Sequence, residues 1–432
     1  MKRPWRRKTK LLFFSLLSVA LTLAGSLFYF NLRLESMLVE QPPRDVPPVT
    51  SPEFRLLLEA YLGKPFVEGN TVEHLRDGDE IFPAKLEAIA GAASSIHLEM
   101  YEFWGDLVAG AITDALIERA EAGVSVRVLL DFFGSRSADP EKFERMEAAG
   151  ITLIRWRKPS WYHSGRFNNR THRKLLIVDG RTGFTGGANL GDDWWESDAG
   201  GRPLYRDNHF RFTGPIVNQL QAAFLDNWLR AHRQLLLGDA VLPVLETDGT
   251  AAMQVLLSSP SDGKKRVRTF LLLAFAAAQE SIAIQTAYFY PDPVIKQALI
   301  EAIERGVEVT ILAPGEKINE NIVRLASRNR WGVLLEAGVR IFEFQPSMFH
   351  SKLFLIDRDL VSLGSVNFDN RSFRLNDEAN VNILCPDFGA EMRAVFDRDL
   401  EEAVEITLAD WEARPFLERA IGFFGNLIGP QL

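Results

Sequence analysis

The chain has 432 residues, of which 47% are hydrophobic and 25% charged. This composition is typical of two or three folded domains and excludes disordered, collagen-like and polytopic membrane proteins. The net charge is −8, but six cations lie in residues 1–10, so the rest of the chain carries −14. An acidic body of this size is a poor partner for nucleic acid, whose binding depends on neutralising phosphates. The single cysteine, Cys385, excludes an internal disulfide and a thiolate metal cluster.

Residues 11–30 form an uncharged run that is long enough, as a helix, to cross a bilayer of about 30 Å. The excess of cations before this run predicts a basic cytoplasmic N-terminus, residues 1–10, and a body on the other side of the membrane. The alternative is a signal peptide cleaved after Ala24. Its apolar region would be shorter, about 7–15 residues, so we favour an uncleaved single-pass anchor. The prolines that follow predict an extended tether, residues 31–53.

From residue 54 the chain alternates amphipathic helical runs with short apolar runs, which is the pattern of an α/β protein. The pattern occurs twice, and its best-matched stretches are THRKLLIVDGRTGFTGGANL and FHSKLFLIDRDLVSLGSVNF. We therefore predict two copies of one α/β sandwich unit, residues 54–240 and 241–432, packed about a pseudo-twofold axis. The matched positions are His172 and His350, Lys174 and Lys352, Asp179 and Asp357, Gly186 and Gly364, and Asn189 and Asn367.

The paired histidines and lysines favour chemistry on a phosphodiester. Histidine and lysine two residues apart on a strand point to the same face, and burying such a pair costs free energy unless a ligand or partner meets it. Joining the two copies would assemble two imidazoles, two ammonium groups and two carboxamides. One imidazole would attack phosphorus and the other would protonate the leaving oxygen, while lysine and asparagine bind the remaining oxygens. The lysines supply the positive charge that a metal often provides, so we predict no metal and no cofactor.

A histidine that acts as nucleophile needs its other ring nitrogen held by an acceptor. Asp207 in YRDNHFRF and Glu378 in LNDEANVNI occupy corresponding polar positions after the two motifs. We predict that they orient the histidines. Asp179 and Asp357 belong to the catalytic motif, but they end the strand-like runs, so we expect them to organise the motif loops rather than to touch substrate.

The doubled His-x-Lys-x₄-Asp motif resembles that of the phospholipase D superfamily, and residues 54–432 contain stretches similar to bacterial cardiolipin synthases. The resemblance implies a phosphohistidine intermediate formed without metal, with His172 as nucleophile and His350 as acid and then base. It also implies that Lys174, Lys352, Asn189 and Asn367 bind phosphate. Ser365 would add a phosphate-facing hydroxyl that the first copy lacks. The similar stretches are IHLEMYEFWGD, GVSVRVLLDFFGS, RDNHFRFTGP, TAYFYPD and GSVNFDNRSFRLNDE.

These observations predict a phosphatidyltransferase anchored in a bacterial cell membrane, with its body on the extracytoplasmic side. The expected reaction is cardiolipin synthesis with phosphatidylglycerol as acceptor and with a second phosphatidylglycerol, phosphatidylethanolamine or another phospholipid as donor. One alternative is a phospholipase D that releases phosphatidic acid, because transfer and hydrolysis differ only in how well the pocket excludes water. A nuclease is disfavoured by the acidic body and the anchor. A non-enzymatic scaffold is disfavoured because both motif copies are complete.

Overall fold

The computed structural model describes residues 10, 12–19, 21–22, 25–26, 39–158, 169–260 and 265–427. The predicted basic N-terminus up to residue 9, and residues 11, 20, 23–24 and 27–30 of the predicted anchor, lie outside the described residues. So do residues 31–38 of the predicted tether. No helix built from the described residues is both long and apolar enough to span a bilayer.

The body is a mixed α/β structure, so the predicted α/β class is confirmed. The strands are β1 (Val67–Arg76), β2 (Ser95–Met100), β3 (Ser125–Asp131), β4 (Thr152–Trp156), β5 (Arg170–Thr171), β6 (Leu175–Val178), β7 (Thr182–Gly186), β8 (Tyr205–Arg206), β9 (Asn208–Thr213), β10 (Ala251–Ser258), β11 (Ser281–Gln285), β12 (Glu308–Pro314), β13 (Arg340–Phe344), β14 (Met348–Phe349), β15 (Leu353–Ile356), β16 (Leu360–Gly364), β17 (Asn376–Leu384) and β18 (Ala403–Glu405). The helices are α1 (Pro52–Leu62), α2 (Asp77–Ala90), α3 (Val108–Glu121), α4 (Pro140–Ala148), α5 (Ile216–His232), α6 (Arg266–Ala277), α7 (Pro293–Glu304), α8 (Asn321–Arg328), α9 (Gly332–Glu336), α10 (Asn370–Arg374), α11 (Pro386–Glu401), α12 (Leu408–Glu412) and α13 (Phe416–Leu427).

The strand order is consistent with the predicted duplication. Within the described residues the main sheet runs β18-β13-β12-β11-β15-β16-β17-β10-β1-β9-β7-β6-β2-β3-β4. Reading outward from the antiparallel β1–β10 pair, equivalent strands of the two predicted units occupy equivalent places. On each side the antiparallel strands lie near the centre and a parallel trio, β2-β3-β4 or β11-β12-β13, lies toward the edge.

Each motif strand is buried on both faces, which explains its continuous apolar sequence. In β6, Leu175 and Ile177 face one hydrophobic cluster, which includes Leu220 of α5. Leu176 and Val178 face the opposite cluster, built partly from α2 and α3. Because side chains alternate along a strand, packing on both sides fixes its register and therefore the direction of the polar residues that precede it.

The motif aspartates lie at the far end of these strands from the histidines, so they do not belong to the group of residues that meets in the cleft described below. Asp179 accepts hydrogen bonds from the backbone N–H groups of Ala93, Ser94 and Ser95 at 2.9, 2.7 and 2.8 Å. Asp357 accepts equivalent bonds from the backbone at residues 279–281. Each carboxylate thereby holds the turn that starts β2 or β11 against the end of its motif strand.

Replacing Asp179 by Asn tests this structural role. Burial would raise the pKa of Asp179, but the backbone donors and the Ser94 hydroxyl hold it below its usual value. We expect the variant to lose about 1–3 kcal/mol of unfolding free energy at pH 7. A carboxylate with a depressed folded-state pKa stabilises above its unfolded pKa and stops stabilising as the pH falls through the folded value. The deficit should therefore shrink in acid.

Denaturant unfolding between pH 7 and pH 3 measures this difference. Glu87→Gln, at an exposed carboxylate on the neighbouring α2, is the matched control and should change stability little. Equal stability of Asp179→Asn and Glu87→Gln at pH 7 would contradict the assigned role.

Candidate functional site

A cleft of about 650 Å³ contains both motif histidines and draws its lining from both predicted units. Its walls combine aromatic rings, carboxamides, cations and carboxylates, the last being Glu102, Glu320 and Asp369. The lining residues include Tyr101, Glu102, Trp104, His172, Asn189, Trp194, Tyr288, His350, Asn367 and Asn376, with the cations Arg136, Arg170 and Arg371.

Two short strand pairs connect the units at the cleft. β5 runs parallel to the start of β17, and β14 runs parallel to β8. His172 directly follows β5, and its backbone N–H donates to the carbonyl of Asp377 at 2.9 Å. His350 directly follows β14, and its N–H donates to the carbonyl of Arg206 at 2.8 Å. Each histidine is thereby fixed beside the residue that precedes a predicted orienting carboxylate.

The histidine–carboxylate pairs cross between the two units. Nδ1 of His172 lies 3.0 Å from both carboxylate oxygens of Glu378. Nδ1 of His350 lies 2.7 Å from Oδ2 of Asp207. The sequence places one carboxylate in each unit but does not indicate that each pairs with the histidine of the other. A proton held on Nδ1 leaves the Nε2 lone pair of each ring free for chemistry.

Glu378 is held in place by neighbouring polar side chains. The hydroxyl of Ser365 donates to Oε2 at 2.5 Å, and the hydroxyl of Ser372 donates to Oε1 at 2.8 Å. The amide of Asn376 adds a bond of 3.2 Å to Oε1. Ser365 is fully buried, and its hydroxyl is directed at Glu378, whereas the sequence predicts that it faces phosphate.

Asp207 is held differently, because the first unit has glycine where the second has Ser365. A Cβ at Gly187 would lie 2.0 Å from Oδ1 of Asp207, so no side chain fits there. The indole N–H of Trp194 donates to Oδ2 at 2.9 Å, and the backbone N–H of Asn208 donates to Oδ1 at 2.8 Å. Trp194 therefore takes the place of the missing hydroxyl.

The two lysines are buried against the histidines. Nζ of Lys174 donates to the carbonyl of His172 at 2.9 Å. Nζ of Lys352 donates to the carbonyl of His350 and lies 2.9 Å from its Nδ1. Burial lowers the pKa of Lys174 to about 7 and that of Lys352 to about 8, although the nearby carboxylates oppose the shift.

The electrostatics keep both imidazoles neutral at pH 7. Burial lowers the pKa of His172 to about 4 against the opposing effect of Glu378. Burial and the Lys352 ammonium lower the pKa of His350 to about 3. Burial would raise the pKa of Asp207 and Glu378, but their histidine partners and the lysines hold both below the usual range. Both carboxylates are therefore ionised beside neutral rings.

The predicted asparagines line the cleft in different settings. The amide of Asn189 donates to Oε2 of Glu102 at 3.2 Å, and its carbonyl accepts from the Glu102 backbone at the same distance. Oδ1 of Asn367 is buried and has no hydrogen-bond partner among the described residues. Both side chains line the cleft that contains the histidines.

Sequence reasoning did not identify Glu102 and Tyr288 as cleft residues. They are equivalent positions, because each directly precedes a repeated phenylalanine, Phe103 or Phe289. That repeat marks the segment, but the two residues differ in type and therefore give no matched signal. Burial raises the pKa of Glu102, opposed by the Lys174 ammonium. Across the described residues, no three His, Cys, Asp or Glu side chains are arranged to hold a metal ion.

Comparisons with known proteins identify the family of the chain. The family model described as cardiolipin synthase, PLD-like domain, matches residues 86–200 and 271–400. The chain is 32% identical over 371 residues to a probable cardiolipin synthase (YwiE) of Bacillus subtilis, covering 84% of this chain and 72% of that one. It is 34% identical to cardiolipin synthase A of Pseudomonas putida, covering 85% and 76% of the two chains.

Solved structures share the fold at lower identity. A phosphatidylserine synthase of Haemophilus influenzae superposes with a TM-score of 0.68 at 13% identity, covering 88% of this chain and all of that one. A polyphosphate kinase of Porphyromonas gingivalis gives a TM-score of 0.54 at 15% identity, covering 91% and 56%. With the family model matched over both motif copies, the chain belongs to the cardiolipin synthase family of phospholipase D-type phosphatidyltransferases.

Proposed function

We propose that the protein makes cardiolipin by transferring a phosphatidyl group, held covalently on His172, to the glycerol of phosphatidylglycerol. The observation that carries the proposal is the crossed arrangement of His172 with Glu378 and His350 with Asp207 around one cleft. Two imidazoles in one site, each backed by an ionised carboxylate, match the needs of a two-step displacement at phosphorus.

In the first step, Nε2 of His172 forms a bond to phosphorus as the bond to the donor's leaving oxygen breaks. His350 gives that oxygen a proton, so an alcohol leaves. In the second step, His350 removes a proton from the acceptor hydroxyl, the new oxygen–phosphorus bond forms and the nitrogen–phosphorus bond breaks. Glu378 stabilises the positive charge that develops on His172, and Lys174 and Lys352 stabilise the phosphoryl oxygens.

His350 must be protonated for the first step, although the Lys352 ammonium lowers its pKa. An anionic phosphodiester bound beside Lys352 offsets that charge, and Asp207 then favours the imidazolium. Substrate binding thereby supplies the acid at the moment it is required. We assign attack to His172 because it is the histidine of the first motif copy; both oxygens of Glu378 lie 3.0 Å from its Nδ1 and fix the direction of the ring.

The cleft lining supports an anionic phospholipid as substrate. Arg136, Arg170 and Arg371 provide positive charge at the cleft, and Tyr101 and Trp104 provide rings that shield the covalent intermediate from water. Phosphatidylglycerol fits both requirements because its phosphodiester is anionic and its headgroup offers a primary hydroxyl. Exclusion of water favours transfer over release of phosphatidic acid.

We also propose that residues 11–30 anchor the protein in the bacterial cell membrane, with residues 1–10 in the cytoplasm and the body on the other side. The run is uncharged and follows six cations. Among its described residues, 12–19 are helical and carry exposed leucine and phenylalanine side chains. Such side chains are stable in contact with lipid.

Turnover of phosphatidylglycerol alone tests the reaction. We expect the detergent-purified full-length protein, with EDTA present, to produce cardiolipin and free glycerol in equal amounts, detected by mass spectrometry. The variant His172→Ala should lose at least about 10³-fold in rate, because the covalent route is removed. His232→Ala, at an exposed histidine, is the matched control. Phosphatidic acid without cardiolipin would replace the proposed transfer by hydrolysis.

Trapping the intermediate tests the assignment of the two histidines. With a donor that carries a p-nitrophenol leaving group, the first step needs no acid, so His350→Ala should accumulate a phosphohistidine. His172→Ala should accumulate none. Peptide mass spectrometry at alkaline pH identifies the modified residue, and a label on His350 in the wild-type protein would reverse the two roles.

Replacing Glu378 and replacing Asp207 should have different effects on the rate of reaction with the same activated donor. Glu378→Gln should slow the attack of His172 on this donor by about 10²–10⁴-fold, because a neutral amide does not stabilise a charged His172 ring as the carboxylate does. Asp207→Asn should leave that step nearly unchanged and slow turnover of natural phosphatidylglycerol. Burst and steady-state rates measure the two steps. Equal losses in both variants with the activated donor would indicate a structural role for each carboxylate.

A further inference from the structure

Helix α13 exposes its large apolar side chains to solvent and turns polar side chains toward the protein. Phe416, Leu417, Phe423 and Phe424 are 84%, 69%, 63% and 66% exposed. At about 100° per residue, these four positions and Ala420 fall on one face of the helix. A helix on a water-exposed surface normally buries such side chains and presents polar ones. Here the exposed face is continuous, aromatic and apolar.

The inward face of α13 is polar and closely packed. Gly422 and Gly425 face α8, where an added Cβ would lie 2.4 Å from the carbonyl of Leu325 and 3.0 Å from Cβ of Ala326. Glu418 forms an ion pair of 2.9 Å with Arg328.

A further contact fixes the C-terminal part of the helix, where the hydroxyl of Tyr290 donates to Oδ1 of Asn426 at 2.7 Å. Rotating α13 to bury its phenylalanines would break these polar contacts and bring side chains into the space of the two glycines. The outward direction of the aromatic face is therefore specified by the packing of the opposite face.

Helix α13 packs beside α8, whose first turn lies at the cleft. Ile322 and Val323, in the first turn of α8, line the cleft. A Cβ at Gly425 of α13 would lie 3.6 Å from Cγ1 of Ile322. Ile322 is itself exposed. The first turn of α8, with the exposed Ile322, thus lies between the inward face of α13 and the cleft that holds the histidines.

From this arrangement we propose that the outward face of α13 inserts into the surface of an anionic phospholipid bilayer and seats the mouth of the cleft there. This inference rests on the proposed function, because it explains how a lipid headgroup reaches the histidines while its acyl chains stay in the bilayer. Phenylalanine and leucine on one helix face are suited to the boundary between headgroups and acyl chains. The arginines of the cleft, including Arg136 and Arg371, complement the negative headgroups.

Site-specific labelling tests the contact without depending on activity. Cys385 is the single cysteine, so Cys385→Ser provides a background for Phe424→Cys or, as control, Leu237→Cys. Leu237 is 80% exposed on the segment between α5 and β10. Each full-length variant is labelled with a polarity-sensitive fluorophore and reconstituted into vesicles of phosphatidylglycerol and phosphatidylethanolamine.

We expect the label at position 424 to be quenched by spin-labelled lipid and protected from iodide present on both sides of the vesicle. The label at position 237 should remain open to iodide. Equal iodide quenching at both positions would overturn the proposal. Protection from iodide at position 424 without quenching by lipid would also overturn it and assign the face to contact with a second copy of the chain.

A kinetic comparison tests the consequence for turnover. For Phe423→Gln/Phe424→Gln we expect at least about a 10-fold lower rate on phosphatidylglycerol in vesicles. The rate on short-chain, monomeric phosphatidylglycerol should change less than about 2-fold. Leu235→Gln/Leu237→Gln, at exposed leucines away from the cleft, should change neither rate. Equal losses on both substrates would indicate a structural role and overturn the proposal.

The two experiments separate failure of this inference from failure of the proposed function. If the protein makes no cardiolipin from either form of phosphatidylglycerol, the proposed reaction fails, while the fluorophore at position 424 still reports whether the helix contacts lipid. If both substrates are converted and the Phe423→Gln/Phe424→Gln variant matches the wild type on vesicles, the reaction stands and the docking surface fails.

Discussion

The crossed pairing of histidine and carboxylate determines how the rest of the structure is arranged. A buried ring nitrogen without a hydrogen-bond partner costs about 1–3 kcal/mol of stability, and a buried carboxylate without a partner costs more because it is charged. Neither predicted unit contains a complete pair, because His172 contacts Glu378 and His350 contacts Asp207. The two units therefore satisfy each other's buried polar groups. The short β5–β17 and β8–β14 pairs provide the backbone register that this exchange requires.

The strand order repeats between the two predicted units, whereas the side chains around the two histidines differ. Ser365 supports Glu378, whereas the equivalent position is Gly187 because the Asp207 carboxylate occupies that space. Trp194 supports Asp207 instead. These differences give the two histidines distinct surroundings within a symmetric strand order. These surroundings accompany the separate roles that we propose for the two imidazoles, one as nucleophile and the other as acid and base.

Sequence periodicity and matched offsets predicted the α/β class and a repeated pattern, because both are local properties of the chain. They did not predict which carboxylate meets which histidine, since that depends on strand pairing between the units. The hydroxyl of Ser365 was assigned to phosphate because its sequence position follows a motif glycine, yet it is turned toward the buried charge of Glu378. Glu102 and Tyr288 were missed because equivalent positions carry different residue types. The direction of α13 depends on contacts with α8 that its own sequence does not encode.

The charge distribution favours an apolar surface for the proposed contact with lipid. The chain beyond residue 10 carries −14, so a bilayer of anionic lipid repels the body as a whole. Screening by salt confines this repulsion to about 8 Å at physiological ionic strength. Arg136 and Arg371 line the cleft and would attract phosphates locally, whereas the proposed burial of Phe423 and Phe424 in lipid does not depend on the sign of the lipid charge. An aromatic helix face is therefore suited to hold an acidic protein against an acidic surface.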